Sequence, residues 1–230
     1  MEDLKRVLIV SSVHNETGKA TAGALDWLLD RLRPDVIFLE CSPTQFPAFQ
    51  NGLGRTLEST AVGLYRRRHE VVLEPVDLHL PDAEPLKLKI DELFERIEAE
   101  SPRYRQMDEA NSQSTEQWGF AYLNSRDNAW LECEIQREMR VAVEAAGDSR
   151  LTDLYELWTR INDQREQEMI HRVVAIATQS SFMKSVLLVG AAHRPSLIAR
   201  TQCPSNDGAR VVAWEDDWRH EIDNPNSDLA

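Results

Sequence analysis

The sequence predicts an α/β fold: a mostly parallel open sheet flanked by helices, with a helical insertion at about residues 81–180 capping the rim of strand C-termini. Three observations predict it. Two short apolar runs, RVLIVSSVH and KSVLLVGAAH, read as buried strands and end at His14 and His193. A third run, DVIFLE, is continuous rather than alternating, as expected of a parallel strand covered on both faces, and ends on Glu40. Between these runs apolar residues recur at helical spacing, which gives the first third of the chain a βαβαβ rhythm.

The elements follow in order. After the first strand, Ala24, Leu25, Leu28, Leu29 and Leu32 mark a helix from Thr17 to Arg33, stopped by Arg33-Pro34. DVIFLE is the second strand. A less regular helical stretch covers Phe46 to His69, and EVVLEPVDLHL supplies a third strand with Asp77 near its end. From Pro81 to Gly147 the chain is polar and mostly helical. Leu86, Ile90, Leu93, Phe94 and Ile97 form one stripe of an amphipathic helix. SPRYRQMDEANSQSTEQWG holds little that packs and reads as a mobile connection. Helix patterns then run from about Phe120 to Ala146 and from Leu151 to Thr178, before the strand SVLLVGA, a helical segment and the strand ARVVAW. Residues 1–220 read as a single domain, and EIDNPNSDLA at 221–230 as a disordered tail.

Bulk properties exclude several classes. The formal charge is -13, and the chain has no basic block able to offset it, so no nucleic-acid partner is expected. The run Arg66, Arg67, Arg68 reads as the solvated end of a helix. No stretch nears the about 18 apolar residues of a membrane helix, and MEDLKRVLIV lacks the features of a signal peptide. Cys41, Cys133 and Cys203 are too few and scattered for a disulfide framework. A cytoplasmic protein with no membrane partner is the expectation.

Ligands bind at the carboxyl ends of strands in open parallel sheets, so His14, Glu40 and His193 make the sharpest constellation. Two imidazoles and a carboxylate form the three-ligand set of many catalytic metal sites, with zinc, iron or manganese suited to it. A bound cation would lower the pKa of its water to about 7. For either histidine alone, a strand-end cap is the simpler reading; three strand ends with ligand-type side chains favour a site. Gly190 suits a close backbone approach. Asp77 is a further ligand, a partner orienting a histidine, or a turn cap. Glu16 reads as a helix N-terminal charge rather than a base. Two helical segments, Arg126-Asp127 with Trp130 and Arg165-Glu166 with Met169, each place an arginine able to clamp an oxyanion.

This ordered pattern resembles the TraB/PrgY/GumN and TIKI superfamily, related to ChaN-like and erythromycin-esterase-like proteins. The family's first GxxH corresponds to SSVH up to His14, and its acidic strand end to PDVIFLEC around Glu40. Its R(N/D/E)xxM helix corresponds to QREQEMIHRV, with Arg165, Glu166 and Met169, and its GAxH to VLLVGAAHRPSL. The distance to His193 favours Arg165 over Arg126. Ser11 stands where the family has glycine, the ExxH form of the esterase branch is absent, and CSPTQF lacks the arginine that often follows the acidic motif. The resemblance implies a metal-dependent hydrolase cleaving an amide or ester of a peptide or small-molecule substrate. His14 and His193 would hold manganese or cobalt, Glu40 would be a ligand or the base, and Arg165 would hold the oxyanion or substrate. Asp77, Glu166 and Gly190 would support them. Its alternative is a haem-binding protein of the ChaN type or a peptide-binding scaffold.

Overall fold

The computed structural model describes residues 4–50, 54–80, 83–202 and 211–219. The strands are β1 (Lys5–Ser12), β2 (Val36–Leu39), β3 (Val72–Pro75), β4 (Lys184–Gly190) and β5 (Val212–Glu215). They form one sheet in the order β3-β2-β4-β1-β5, with every pair parallel. The last strand to enter the middle, β4, thus separates β1 from β2. It pairs Ser12 with Gly190 on one side and Leu39 with Leu188 on the other. Because all strands run one way, the residues after β1, β2, β3 and β4 emerge along a single rim. That topology gathers residues 14, 40, 77 and 193.

The unbroken apolar runs have a two-sided explanation. Successive side chains of a strand point to opposite faces. Leu8 and Val10 pack with Leu25, Leu28 and Leu29 of α1 (Ala22–Leu32) and with Tyr65 of α3 (Leu57–Arg66). Val7 and Ile9 face the other way, into Met169, Val173 and Ala177 of α8 (Ser149–Gln179) and Leu197 of α9 (Arg194–Gln202). A strand buried on both faces has no solvated side to alternate with, hence the run, broken only by the small buried residues Ser11, Ser12 and Ser185. At roughly 25 cal/mol per Å² of apolar area, these two layers supply the main driving force for the sheet.

The expected helical insertion is α4 (Ala83–Glu100), α5 (Pro102–Trp118), α6 (Phe120–Leu123), α7 (Arg126–Ala146) and α8. It has its own core, in which Leu93, Ile97, Tyr104, Ile135, Met139, Leu151 and Leu154 meet. Helix α8 serves both cores: Leu151 and Leu154 lie in the helical one, while Met169, Val173 and Ala177 lie on the sheet. Arg165 sits where the helix passes from one to the other.

Several boundaries differ from the sequence reading. The first helix begins at Ala22, because Thr17 and Ala20 form a small bridge and Thr21 caps the N–H of Ala24. It ends at Leu32, with Arg33 in the left-handed region (φ 47°) before Pro34. The Phe46–His69 stretch is two helices, α2 (Phe46–Gln50) and α3, the second capped by Thr56 on the N–H of Ser59. The pattern from Phe120 to Ala146 breaks at Asn124-Ser125, where Ser125 caps α7.

The segment read as a mobile connection is instead the helix α5. Ser101 caps it and Pro102 occupies its first turn. Tyr104 and Met107 pack on the helical core at its start, and beyond them its anchors are polar: Asn111 accepts from the Tyr122 hydroxyl and the Asn128 amide, and donates to Glu132. A helix held mostly by side-chain amides carries only a short apolar stripe, so periodicity missed it. The expected tail, 221–230, lies outside the described residues.

Candidate functional site

Glu40, one residue past β2, is the hub of the rim. Its Oε2 accepts from the Gly190 N–H at 2.5 Å, and its Oε1 accepts from Arg165 Nη2 at 2.5 Å. His193 Nε2 faces the same Oε1 at 3.3 Å. A Cβ at Gly190 would stand 3.4 Å from Glu40 Oε2, an ordinary van der Waals contact, so the carboxylate's approach to the backbone does not by itself demand glycine. Burial pushes the Glu40 carboxyl up, but His193, Arg165 and the Gly190 N–H outweigh it and hold it well below the usual range. Glu40 is therefore a fixed anion with both oxygens engaged.

Arg165 is fastened along one edge. Its Nε lies 3.0 and 3.2 Å from the two Asp77 oxygens, and Nη2 lies 2.8 Å from Asp77 Oδ2. Among the described residues all these bonds, like the one to Glu40, use Nε and Nη2, and none uses Nη1. Burial works against its charge; the two carboxylates more than restore it. Asp77 thus holds the arginine rather than a histidine.

His193 closes the network from a 3₁₀ turn, Ala191–His193, directly after β4. Its Nδ1 lies 2.9 Å from Glu166 Oε1, one residue beyond Arg165 on α8. Burial lowers the imidazole pKa, yet Glu40 and Glu166 overcome it and hold the group at about 9. His193 is an imidazolium between two carboxylates at neutral pH. It lines a cleft of about 300 Å³ on the far side of Arg165, with Phe94, Trp158 and Gln136.

His14 stands on the other side, in a cleft of about 390 Å³ shared with Glu40, Asp77 and Arg165 and floored by Leu39, Phe49 and Leu188. Its carbonyl accepts from the Leu57 N–H at 2.8 Å, which ties it to the first turn of α3. There its Nδ1 meets Glu58 Oε1 at 3.0 Å. Glu58 is buried, and its Oε2 has no partner among the described residues. The bond to Glu58 raises the His14 pKa against the opposing effect of burial. The imidazole itself is 62% exposed, so Nε2 is the nitrogen available to the cleft.

The structure therefore joins Glu40, His193, Arg165, Asp77, Glu166 and Gly190 in one hydrogen-bonded network and sets His14 apart on Glu58. Glu58 was not anticipated, since a lone acid in a helix carries no signal. Asn124 was missed for the same reason. Its amide accepts from the Ser11 N–H at 2.7 Å and donates to the Ser11 carbonyl at 3.2 Å, clamping the end of β1 behind His14. Ser11 itself is buried in the sheet and does not line the His14 cleft. Arg126 is exposed and lines neither cleft. Glu16 accepts from the Ala22 N–H, a helix-start role.

A metal on His14, Glu40 and His193 is not what this donor set fits. Among the described residues, no three His, Cys, Asp or Glu side chains gather at ligand spacing. Both Glu40 oxygens already accept N–H groups, and the Arg165 guanidinium stands where a cation bound to Oε1 would stand. Haem fits no better. His193 has a carboxylate at each ring nitrogen, and the His14 cleft carries the carboxylates of Glu40, Glu58 and Asp77.

The chain matches no family model, no curated protein and no solved structure. The family resemblance accordingly rests on its four motifs alone. Among the described residues no helix is long and apolar enough to cross a membrane.

Proposed function

We propose that this protein is a hydrolase of an amide or ester bond that activates water with the His14–Glu58 pair. The observation that carries the reading is the 3.0 Å contact between His14 Nδ1 and a buried carboxylate, in a cleft that also holds Arg165. A carboxylate on Nδ1 fixes the tautomer that leaves Nε2 as the proton acceptor and stabilises the imidazolium formed. Water loses its proton to Nε2 as its oxygen bonds to the substrate carbonyl carbon. The carbonyl electron pair moves onto oxygen, where Arg165 Nη1 stabilises the oxyanion. The pair returns, the bond to the leaving group breaks, and His14 gives that group the proton.

Glu40 and Asp77 then serve Arg165 rather than the substrate. They hold the guanidinium in place before reaction, so no reorganisation is needed when charge develops. His193 backs the network as a fixed imidazolium. The apolar floor of Leu39, Phe49 and Leu188 suits an acyl chain.

The test is a panel of chromogenic esters and anilides, assayed with and without chelator and with His14→Ala and Glu58→Gln. Turnover that withstands chelation and is lost in His14→Ala supports the reading. Turnover abolished by chelation favours metal-activated water, as the family resemblance implies. Turnover surviving His14→Ala overturns the proposal.

A further inference from the structure

A third concavity lies at the turn joining α5, α6 and α7 and shares no lining residue with the two clefts at the rim. Its volume is about 550 Å³, and Trp118, Tyr122, Trp130, Asp127, Ser114 and Ser125 line it. Trp118 is 56% exposed and Trp130 is 65% exposed. Two indoles left in water at one groove are a costly use of the largest apolar side chains, and such exposure marks a binding surface. Of the rings, Tyr122 is tied in place: its hydroxyl and the Asn128 amide both donate to Asn111 Oδ1, which joins α5, α6 and α7 beside the groove.

The chemistry of the lining selects the ligand. It contains three aromatic rings and one carboxylate, and no lysine or arginine. Aromatic faces carry negative potential and attract cations, tryptophan most strongly. The protein already uses one of these rings in that way, since the Lys19 ammonium lies 5.5 Å over Trp118 while remaining outside the groove lining. Asp127, exposed in the first turn of α7, adds a negative charge beside the rings that a neutral apolar ligand would not use. A bare ammonium is strongly hydrated and would favour a cluster of carboxylates instead. A methylated ammonium spreads its charge over apolar methyl groups and so matches both rings and acid.

We propose that the Trp118–Trp130 groove is a binding site for a small methylated ammonium compound, independent of the reaction at the rim. The test titrates the full chain with choline and, separately, with 3,3-dimethylbutanol, the neutral isostere in which carbon replaces nitrogen. Both are followed through their methyl proton signal. Saturable binding of choline, with the isostere at least about tenfold weaker, is the expected result. Trp130→Ala and Asp127→Asn should each weaken choline several-fold while leaving the far-ultraviolet circular dichroism and melting temperature unchanged. An N-acetylated trimethyl-lysine amide forms a second arm: preference for it over choline would identify a modified side chain as the source of the same chemistry. Equal binding of choline and its isostere would reduce the groove to an apolar surface and overturn the proposal. So would no binding of any probe, or choline binding unaffected by Trp130→Ala.

Discussion

Arg165 presents one edge to Asp77, with Nε and Nη2 at 2.8–3.2 Å from that carboxylate, while the same Nη2 reaches Glu40 Oε1 at 2.5 Å. Two consequences follow for variants. Arg165→Ala leaves the buried Glu40 and Asp77 carboxylates without their shared cation, and losing one partner of a buried pair costs about 3–5 kcal/mol. Urea denaturation checks this; a variant as stable as the parent would contradict it. Arg165→Lys cannot bridge both acids in one plane, so it should recover little activity.

On the proposed mechanism, the His14–Glu58 pair sets the acid limb of the rate profile. His14 acts as a base only when neutral, so kcat/KM rises with pH through its pKa, which Glu58 holds above the ordinary 6.5. Glu40 also raises this pKa, while burial and Arg165 lower it. Glu58→Gln removes the main raising influence and should move the acid limb to lower pH while reducing the maximum. His14→Ala should lose about 10²–10⁴ in rate. An acid limb that stays in place in Glu58→Gln would refute the assignment of His14 as base.

His193 links stability to pH in the opposite sense. Its folded pKa, about 9, lies above the unfolded value of 6.5. The contribution is complete below about pH 6.5 and is lost as pH rises through about 9. Each tenfold change in proton affinity is worth about 1.4 kcal/mol, so the loss is on the order of 3 kcal/mol. Denaturant melts across this range should show the decline in the parent protein and a flatter response in His193→Gln. A parent whose stability is constant over the interval would rule out the buried imidazolium.

Asn124 replaces a sheet partner for Ser11. Asn124→Ala strips the buried Ser11 N–H and carbonyl of their bonds, at about 1–3 kcal/mol for each group. Asn124→Asp keeps an acceptor for the Ser11 N–H but sets a buried carboxylate against the Ser11 and Phe120 carbonyls, and so should be no more stable than Asn124→Ala. Calorimetry orders the three proteins; an alanine variant within about 0.5 kcal/mol of the parent would show that water replaces the amide.

The parallel sheet was legible because two-sided burial leaves a readable trace in β1, β2 and β4. Glu40, His193 and Arg165 were legible as candidates because strand ends and one helical motif carried them. Glu58 was not, since its partner, His14, is distant in sequence and both join only when α3 packs under the rim. The polar helix α5 was misread because, beyond Tyr104 and Met107, it is held by Asn111 reaching across to α6 and α7.

Local chemistry, read from the sequence alone, determined which segments become buried strands and which residues end them. Tertiary structure alone decided how those ends combine. By inserting β4 between β1 and β2, it placed Gly190 and His193 against Glu40 and left His14 to a different carboxylate. The reason is physical: strand order and helix packing are fixed by contacts between distant residues, and no window of sequence contains both members of such a pair.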